Sequence, residues 1–172
     1  MGGTGGDQGE VCAPGWSDDS SGLCWYLGVD GAMSFDDAKA YCQSLEDGLA
    51  GWRLPTIDEL KAQIVGCDPV TDCEVSTTCV ECPCGDDLDT CRPPSACAYL
   101  EGPGPAGCYW DNAFETACTG GLNQEHYVWS STAAVTPEGG ASCSSEYWSV
   151  NFAEAGIAGI QDHFGMMVMC VK

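Results

Sequence analysis

Hydrophobic and polar positions divide the chain into a polar start, a patterned N-terminal part, a cysteine-rich middle and a patterned C-terminal part. Residues 1–10 are rich in glycine and carry no apolar run, which is typical of a flexible tether. Residues 11–172 have the length of one ordinary domain. Within them, two aromatic segments, at Trp16 and at 23–27, flank a turn-rich run and predict a β-hairpin.

Two helices are predicted between residues 34 and 66. Ser34 is a suitable N-cap for the first, and its apolar positions recur at helical spacing at Phe35, Ala38, Cys42 and Leu45. Gly48 is expected to end it. The second begins with the capping-box pattern of Thr56 and Glu59 and is expected to end at Gly66. Its apolar face consists of Ile57, Leu60 and Ile64.

Three segments of the C-terminal part have the composition of strands: 126–131, 146–152 and 165–171. The third is apolar throughout, as expected of a central strand that is covered on both sides. The run between the last two, residues 153–160, contains glycines and predicts a flexible connection. Helices early and strands late indicate an α+β domain.

Cysteine content indicates an exported, oxidised protein. The chain has 14 cysteines in 172 residues, close to the level of a disulfide scaffold, and it lacks repeated CxxC pairs at zinc-finger distance. Residues 67–118 form a cysteine-rich insert in which apolar periodicity disappears. We therefore expect crosslinks, rather than a core of its own, to order the insert. The location is extracellular or at the cell surface, with a lipid anchor upstream as a further option.

Charge restricts the partners. Five Lys and Arg face 26 Asp and Glu, which gives a formal net charge of −21. Such a surface repels nucleic acid, heparin-like polyanions and anionic membranes. No apolar run approaches the ~20 residues of a membrane span. Neutral glycans, basic proteins and divalent cations remain as partners.

Several motifs resemble a known family. The segments 12–16, 24–26, 35–42 and 48–60, together with Cys170, resemble a long-form C-type lectin-like domain. More narrowly, the segments 51–60, 128–132, 147–152 and 169–171 resemble the C-terminal domain of the Legionella collagen-like adhesin, an exported bacterial domain. The resemblance covers about residues 11–66 and 122–172 and leaves the middle of the chain uncovered.

The resemblance implies a C-type lectin-like fold, with two helices packed on a small twisted antiparallel sheet. It also implies the disulfides Cys12–Cys24 and Cys42–Cys170. The remaining ten cysteines would pair in an order that the sequence leaves open: Cys67, Cys73, Cys79, Cys82, Cys84, Cys91, Cys97, Cys108, Cys118 and Cys143.

The function that the resemblance implies is a non-catalytic surface recognition or adhesion module for a neutral glycan or a protein. A purely structural disulfide-stabilised domain is the second interpretation, and an enzyme on a fold like that of formylglycine-generating enzymes is the third. The chain lacks the Glu-Pro-Asn and Trp-Asn-Asp loops that calcium-dependent sugar binding uses in C-type lectins.

Two segments of the insert are candidate sites. Tyr109, Trp110, Asp111 and Asn112 combine rings with carboxyl and amide groups, and Trp110 would form an exposed stacking platform for a sugar or peptide. Asp86, Asp87 and Asp89 would offer hard oxygens to Ca²⁺. A solvated acidic turn is the plainer interpretation of these aspartates, because the EF-hand pattern is absent.

Overall fold

The described residues form two three-stranded antiparallel sheets, two α-helices and a short 3-10 helix at Pro105–Gly107. The computed structural model describes residues 12, 16–18, 22–28, 31–45, 51–67, 97, 99–111, 114, 118, 127–134 and 146–172. In chain order the elements are β1 (Trp16–Asp18), β2 (Leu23–Leu27), α1 (Phe35–Ser44), α2 (Ile57–Ala62), β3 (Tyr127–Ala133), β4 (Glu146–Asn151), β5 (Gly156–Gln161) and β6 (Met169–Val171). The α+β class predicted from the sequence is confirmed.

Helix α1 follows its sequence signals at the start and ends early. The Ser34 side chain accepts a hydrogen bond from the Asp37 backbone N–H at 3.3 Å, which caps the helix. Its buried face consists of Phe35, Ala38 and Cys42. The helix ends at Ser44, four residues before the expected Gly48, because the backbone is already extended at Leu45.

Helix α2 has both halves of the capping box. The Glu59 backbone N–H donates to Thr56 Oγ1 at 3.2 Å, and the Thr56 N–H donates to Glu59 Oε2 at 2.7 Å. The helix ends at Ala62, and a loop carries the chain on to Gly66. Ile57 and Leu60 are buried, so the expected apolar face packs on the core.

The first sheet has the strand order β1-β2-β6 and joins the two ends of the domain. The predicted hairpin is confirmed, since Trp16 pairs with Trp25 in antiparallel register. Strand β2 also pairs with β6, with Tyr26 opposite Cys170. Beyond β6, Arg53 forms an isolated bridge with Val171. The chain between α1 and α2 is thereby fixed to the terminal strand.

The second sheet has the order β3-β4-β5 and corrects one expectation. Residues 153–160 were predicted to be a flexible connection, and this is wrong: β5 pairs with β4 at six consecutive positions, from Gly156 opposite Asn151 to Gln161 opposite Glu146. Glycine weakens a strand locally. Here the burial of Ile157 and the complete ladder to β4 offset that weakness.

The middle of the chain corrects another expectation. Crosslinks, rather than a core of its own, were expected to order the insert at residues 67–118, yet Cys108, Trp110, Phe114 and Cys118 within it are fully or almost fully buried in the main core. The Tyr109 N–H donates to the Phe152 carbonyl at 2.7 Å, and the Leu100 N–H donates to the Ala153 carbonyl at 2.8 Å. This part of the insert therefore covers the chain where it leaves β4.

Disulfides join distant elements. Cys12 is bonded to Cys24 and Cys42 to Cys170, the two pairs that the resemblance implies. Among the described residues, further bonds join Cys67 to Cys97 and Cys108 to Cys118. The other cysteines named above, 73, 79, 82, 84, 91 and 143, lie outside the described residues.

Candidate functional site

The aromatic pair expected to bind a ligand lies in the core. Trp110 is 0 % exposed and Tyr109 is 3 % exposed. The Trp110 ring stacks on Phe114, with centroids 5.0 Å apart, and lies 5.2 Å from the ring of Phe152. The prediction of an exposed stacking platform at Trp110 is therefore wrong, because the rings of Phe114 and Phe152 already cover the indole inside the protein.

The other candidate residues are only partly described. Asp111 is exposed beside the buried pair. Asn112 and the acidic residues Asp86, Asp87 and Asp89 lie outside the described residues. Within the described residues, no group of three or more His, Cys, Asp or Glu side chains is arranged to hold a metal ion.

A cleft beside α1 brings together polar and aromatic side chains that no pattern in the sequence relates to one another. It has a volume of about 260 Å³. We call it the α1 cleft, and its lining consists of Phe35, Lys39, Gln43, Arg53, Leu54, Ser131 and Tyr147.

Helix α1 supplies one wall of the α1 cleft. Phe35, Lys39 and Gln43 are spaced four residues apart, so they follow one another along a single helical face. Phe35 is buried, whereas Lys39 and Gln43 are exposed. The helix therefore contributes an aromatic ring near its start and the polar side chains of Lys39 and Gln43 further along.

An aromatic stack connects this wall to the second sheet. The ring of Phe35 lies parallel to that of Tyr147 on β4, with centroids 3.4 Å apart and an interplanar angle of 11°. Trp129 meets Phe35 edge-on at 5.7 Å, and its indole N–H donates to the Met33 carbonyl at 2.8 Å. These contacts hold Phe35 in place, while Tyr147 remains partly exposed.

The opposite wall is the segment between α1 and α2. The Arg53 guanidinium binds both carboxylate oxygens of Glu59, at 2.6 and 2.8 Å, and Nη1 also donates to the Leu54 carbonyl at 3.2 Å. This hydrogen bonding lowers the pKa of Glu59 and raises the pKa of Arg53, with partial burial opposing both shifts. Both groups are therefore charged at neutral pH.

Strand β3 completes the α1 cleft. The backbone N–H and the hydroxyl of Ser131 both donate to the Pro55 carbonyl, at 2.7 and 3.1 Å. The Ile57 N–H donates to Thr132 Oγ1 at 3.0 Å. Hydrogen bonds thus join β3 to the segment between α1 and α2, and ring contacts join α1 to the second sheet.

The sequence contains one signal that points to this site. The resemblance includes residues 48–60, which contain Arg53 and Leu54, and residues 147–152, which contain Tyr147. It also includes residues 35–42, which contain Phe35 and Lys39, and residues 128–132, which contain Ser131, but nothing in the spacing of these segments relates them to one another. Their proximity depends on the packing of α1 against the second sheet.

Comparisons with known proteins identify a family for the chain. No helix among the described residues is long and apolar enough to cross a membrane. No curated protein and no solved structure matches the chain. The family described as the Lcl C-terminal domain matches residues 15–172, including the middle that the motif resemblance left uncovered. Since the match spans nearly the whole chain, this protein belongs to the Lcl C-terminal domain family.

Proposed function

We propose that the chain is an exported bacterial surface module that recognises a glycan or protein partner without catalysis, and that the α1 cleft is its binding site. The observation that carries the proposal is the lining of the cleft: a partly exposed ring, a hydroxyl, an amide and two cations on a disulfide-linked frame. Groups of this kind bind hydroxyl-rich ligands by stacking and hydrogen bonding.

A lectin-like fold belongs to the same proposal. Pairing of β2 with β6 brings the two ends of the domain together, and the Cys42–Cys170 bond ties α1 to the terminal strand. The disulfide is one that the C-type lectin-like resemblance implies. Membership of an adhesin-related family and the several disulfides support an extracellular location.

A blocking variant tests the site. Gln43→Trp would fill the α1 cleft from an exposed helical position, whereas Ala40→Trp puts the same side chain on an exposed α1 position that does not line the cleft. Purified wild type and both variants would be applied to a glycan array and to bacterial and host-cell surface extracts, with and without Ca²⁺.

The expected result is binding that Gln43→Trp abolishes and Ala40→Trp leaves unchanged. Equal binding by both tryptophan variants would place recognition elsewhere. Absence of binding by the wild type to every glycan and surface would favour the structural interpretation.

A further inference from the structure

One disulfide is accessible to external thiols at both of its ends. Of the bonds that the structure describes, Cys67–Cys97 is the one in which both residues are partly exposed. By contrast, Cys42–Cys170 and Cys108–Cys118 join residues that are each 0 % exposed. An attacking thiolate has to reach a sulfur directly, so a buried bond reacts only after the protein opens locally.

The hairpin bond Cys12–Cys24 is accessible at one end. Cys12 is partly exposed, whereas Cys24 is 5 % exposed. Attack on Cys12 makes Cys24 the leaving group, and a thiolate that forms inside the protein is poorly solvated. In Cys67–Cys97 the leaving sulfur belongs to a partly exposed residue whichever end is attacked. Among the described bonds, this one is therefore expected to exchange fastest.

Exposed apolar residues flank this bond. Val65, 39 % exposed, and Tyr99, 54 % exposed, are the exposed large hydrophobic residues of the described part of the chain. Each stands two positions from one of the bonded cysteines, and two residues span at most ~7 Å. The whole chain has a net charge of −21. An acidic thiol compound is repelled by such a chain, whereas an apolar one gains contact area beside the bond.

Noncovalent contacts join the two segments that this bond links. The Val65 N–H donates to the Tyr109 carbonyl at 3.0 Å. A Cβ at Gly66 would lie 2.6 Å from Pro103, so the segments are in direct contact there. Tyr109 is itself buried, at 3 % exposed. Cleavage of the bond therefore leaves the surrounding fold held together, and exchange does not require the domain to unfold.

We propose that Cys67–Cys97 is a site of thiol–disulfide exchange, through which the protein becomes covalently linked to a partner protein that presents a cysteine beside an apolar residue. The partner's thiolate attacks one sulfur, the S–S bond breaks, and its electron pair leaves with the other sulfur, which takes a proton from water. The products are a mixed disulfide and one free thiol, so the step consumes no oxidant. The site lies outside the α1 cleft and does not depend on the function proposed for that cleft.

The test uses the full chain and three peptides: N-acetyl-Phe-Cys amide, N-acetyl-Ser-Cys amide and N-acetyl-Asp-Cys amide. Exchange would be quenched with acid, and mass mapping would locate the first mixed disulfide. Each rate is divided by the rate of the same peptide with a small neutral disulfide, which removes differences in thiol reactivity. The adduct is expected at Cys67 or Cys97. The Phe peptide should react about threefold faster than the Ser peptide, and the Asp peptide more slowly than both.

Matched variants assign these rates to the site. Cys67→Ser with Cys97→Ser should abolish the early adduct and keep the native dispersion of amide signals in the NMR spectrum. Cys12→Ser with Cys24→Ser removes the other partly exposed bond and should retain the early adduct. Tyr99→Ser should bring the rate of the Phe peptide down to that of the Ser peptide.

A first adduct at any cysteine outside this pair would overturn the assignment of the site. The same holds if no adduct forms before the whole domain unfolds. Equal rates for the three peptides would overturn the class of partner. Loss of the fold in the Cys67→Ser and Cys97→Ser variant would contradict exchange without unfolding, and the mapping on the wild type would still decide where exchange begins.

Discussion

Trp110 has a structural role that follows from its surroundings. Rings of Phe114 and Phe152 lie against it. Its indole N–H is buried and has no hydrogen-bond partner among the described residues. An unpaired buried donor costs free energy, so the contact area of the ring has to exceed that cost. The residue contributes to stability through packing and not through its polar end.

Trp110→Ala is expected to lower the free energy of unfolding by about 3–5 kcal/mol, because it leaves a cavity between two rings. Trp110→Phe should cost clearly less, since it keeps ring contacts and removes the unpaired donor. Tyr99→Ala, at a side chain that is 54 % exposed, is the control and should cost little. Urea unfolding with the disulfides intact measures all three, and equal stability of Trp110→Ala and wild type would contradict the packing argument.

Glu59 joins two local structures. Its carboxylate accepts from the Thr56 N–H within the capping box and from Arg53 across the loop. The Arg53 hydrogen bond holds the pKa of Glu59 below its ordinary value of 4.5. A lowered folded-state pKa means that the charged form stabilises the fold above the unfolded-state pKa. That stabilisation is lost as the pH falls through the folded-state pKa.

Glu59→Gln should therefore be less stable than wild type at pH 7, by up to about 1 kcal/mol, because the pair is partly solvated. The difference in stability between wild type and Glu59→Gln should become smaller as the pH is lowered below 4.5. Asp58→Asn is the matched control: its side chain is 81 % exposed and lies 3.9 Å from Lys61, so little change is expected. Thermal unfolding across this pH range is the measurement. A stability difference that stays constant in acid would show that it does not come from the ion pair between Arg53 and Glu59.

At the level of elements, covalent bonds decide which parts unfold together. Cys42 and Cys170 are both 0 % exposed and join α1 to β6 across 128 residues. Cys12 and Cys24 span only 12 residues, within the hairpin region that pairs β1 with β2. A crosslink that closes a longer loop removes more entropy from the unfolded chain.

Replacing both cysteines of a pair by alanine should reveal this difference. From the chain-entropy relation, the free energy of unfolding should fall by about 5 kcal/mol for Cys42→Ala with Cys170→Ala. For Cys12→Ala with Cys24→Ala it should fall by about 3 kcal/mol. Each double variant is the control for the other, since both remove two cysteines. Denaturant midpoints under oxidising conditions provide the comparison. If the double variant at Cys12 and Cys24 were less stable than the one at Cys42 and Cys170, native-state packing would outweigh loop length.

For the whole molecule, net charge determines which polymers can approach. A formal charge of −21 leaves few cations to neutralise phosphate or sulfate groups, so counterion release contributes little affinity. The two cations of the α1 cleft are too localised to change this for a long polyanion.

The expected result on a heparin column at physiological salt is elution of the wild type with the unbound fraction. The same result is expected for double-stranded DNA in a mobility-shift assay. A basic heparin-binding protein on the same column is the positive control. Retention that weakens with rising salt would show that a cationic surface larger than the cleft exists.

The amino-acid sequence by itself determined the local elements and the family. Ser34 and the Thr56–Glu59 box predicted both helix starts, because capping depends on residues three positions apart. Helix ends were predicted too late, since the glycines lie beyond the point where the backbone leaves helical geometry. The resemblance of residues 51–60 and 147–152 to the adhesin domain was enough to identify the family.

Only the tertiary structure decided what is buried and what meets in space. Residues 156–161 form a strand because β4 offers them a complete ladder, a partner that local composition does not reveal. Trp110 is covered by Phe152, 42 positions along the chain, so its pattern within the insert gave no sign of burial. The α1 cleft likewise depends on Phe35 meeting Tyr147. Local propensity acts over a few residues, whereas burial depends on contacts between distant ones, and these exist only once the chain has folded.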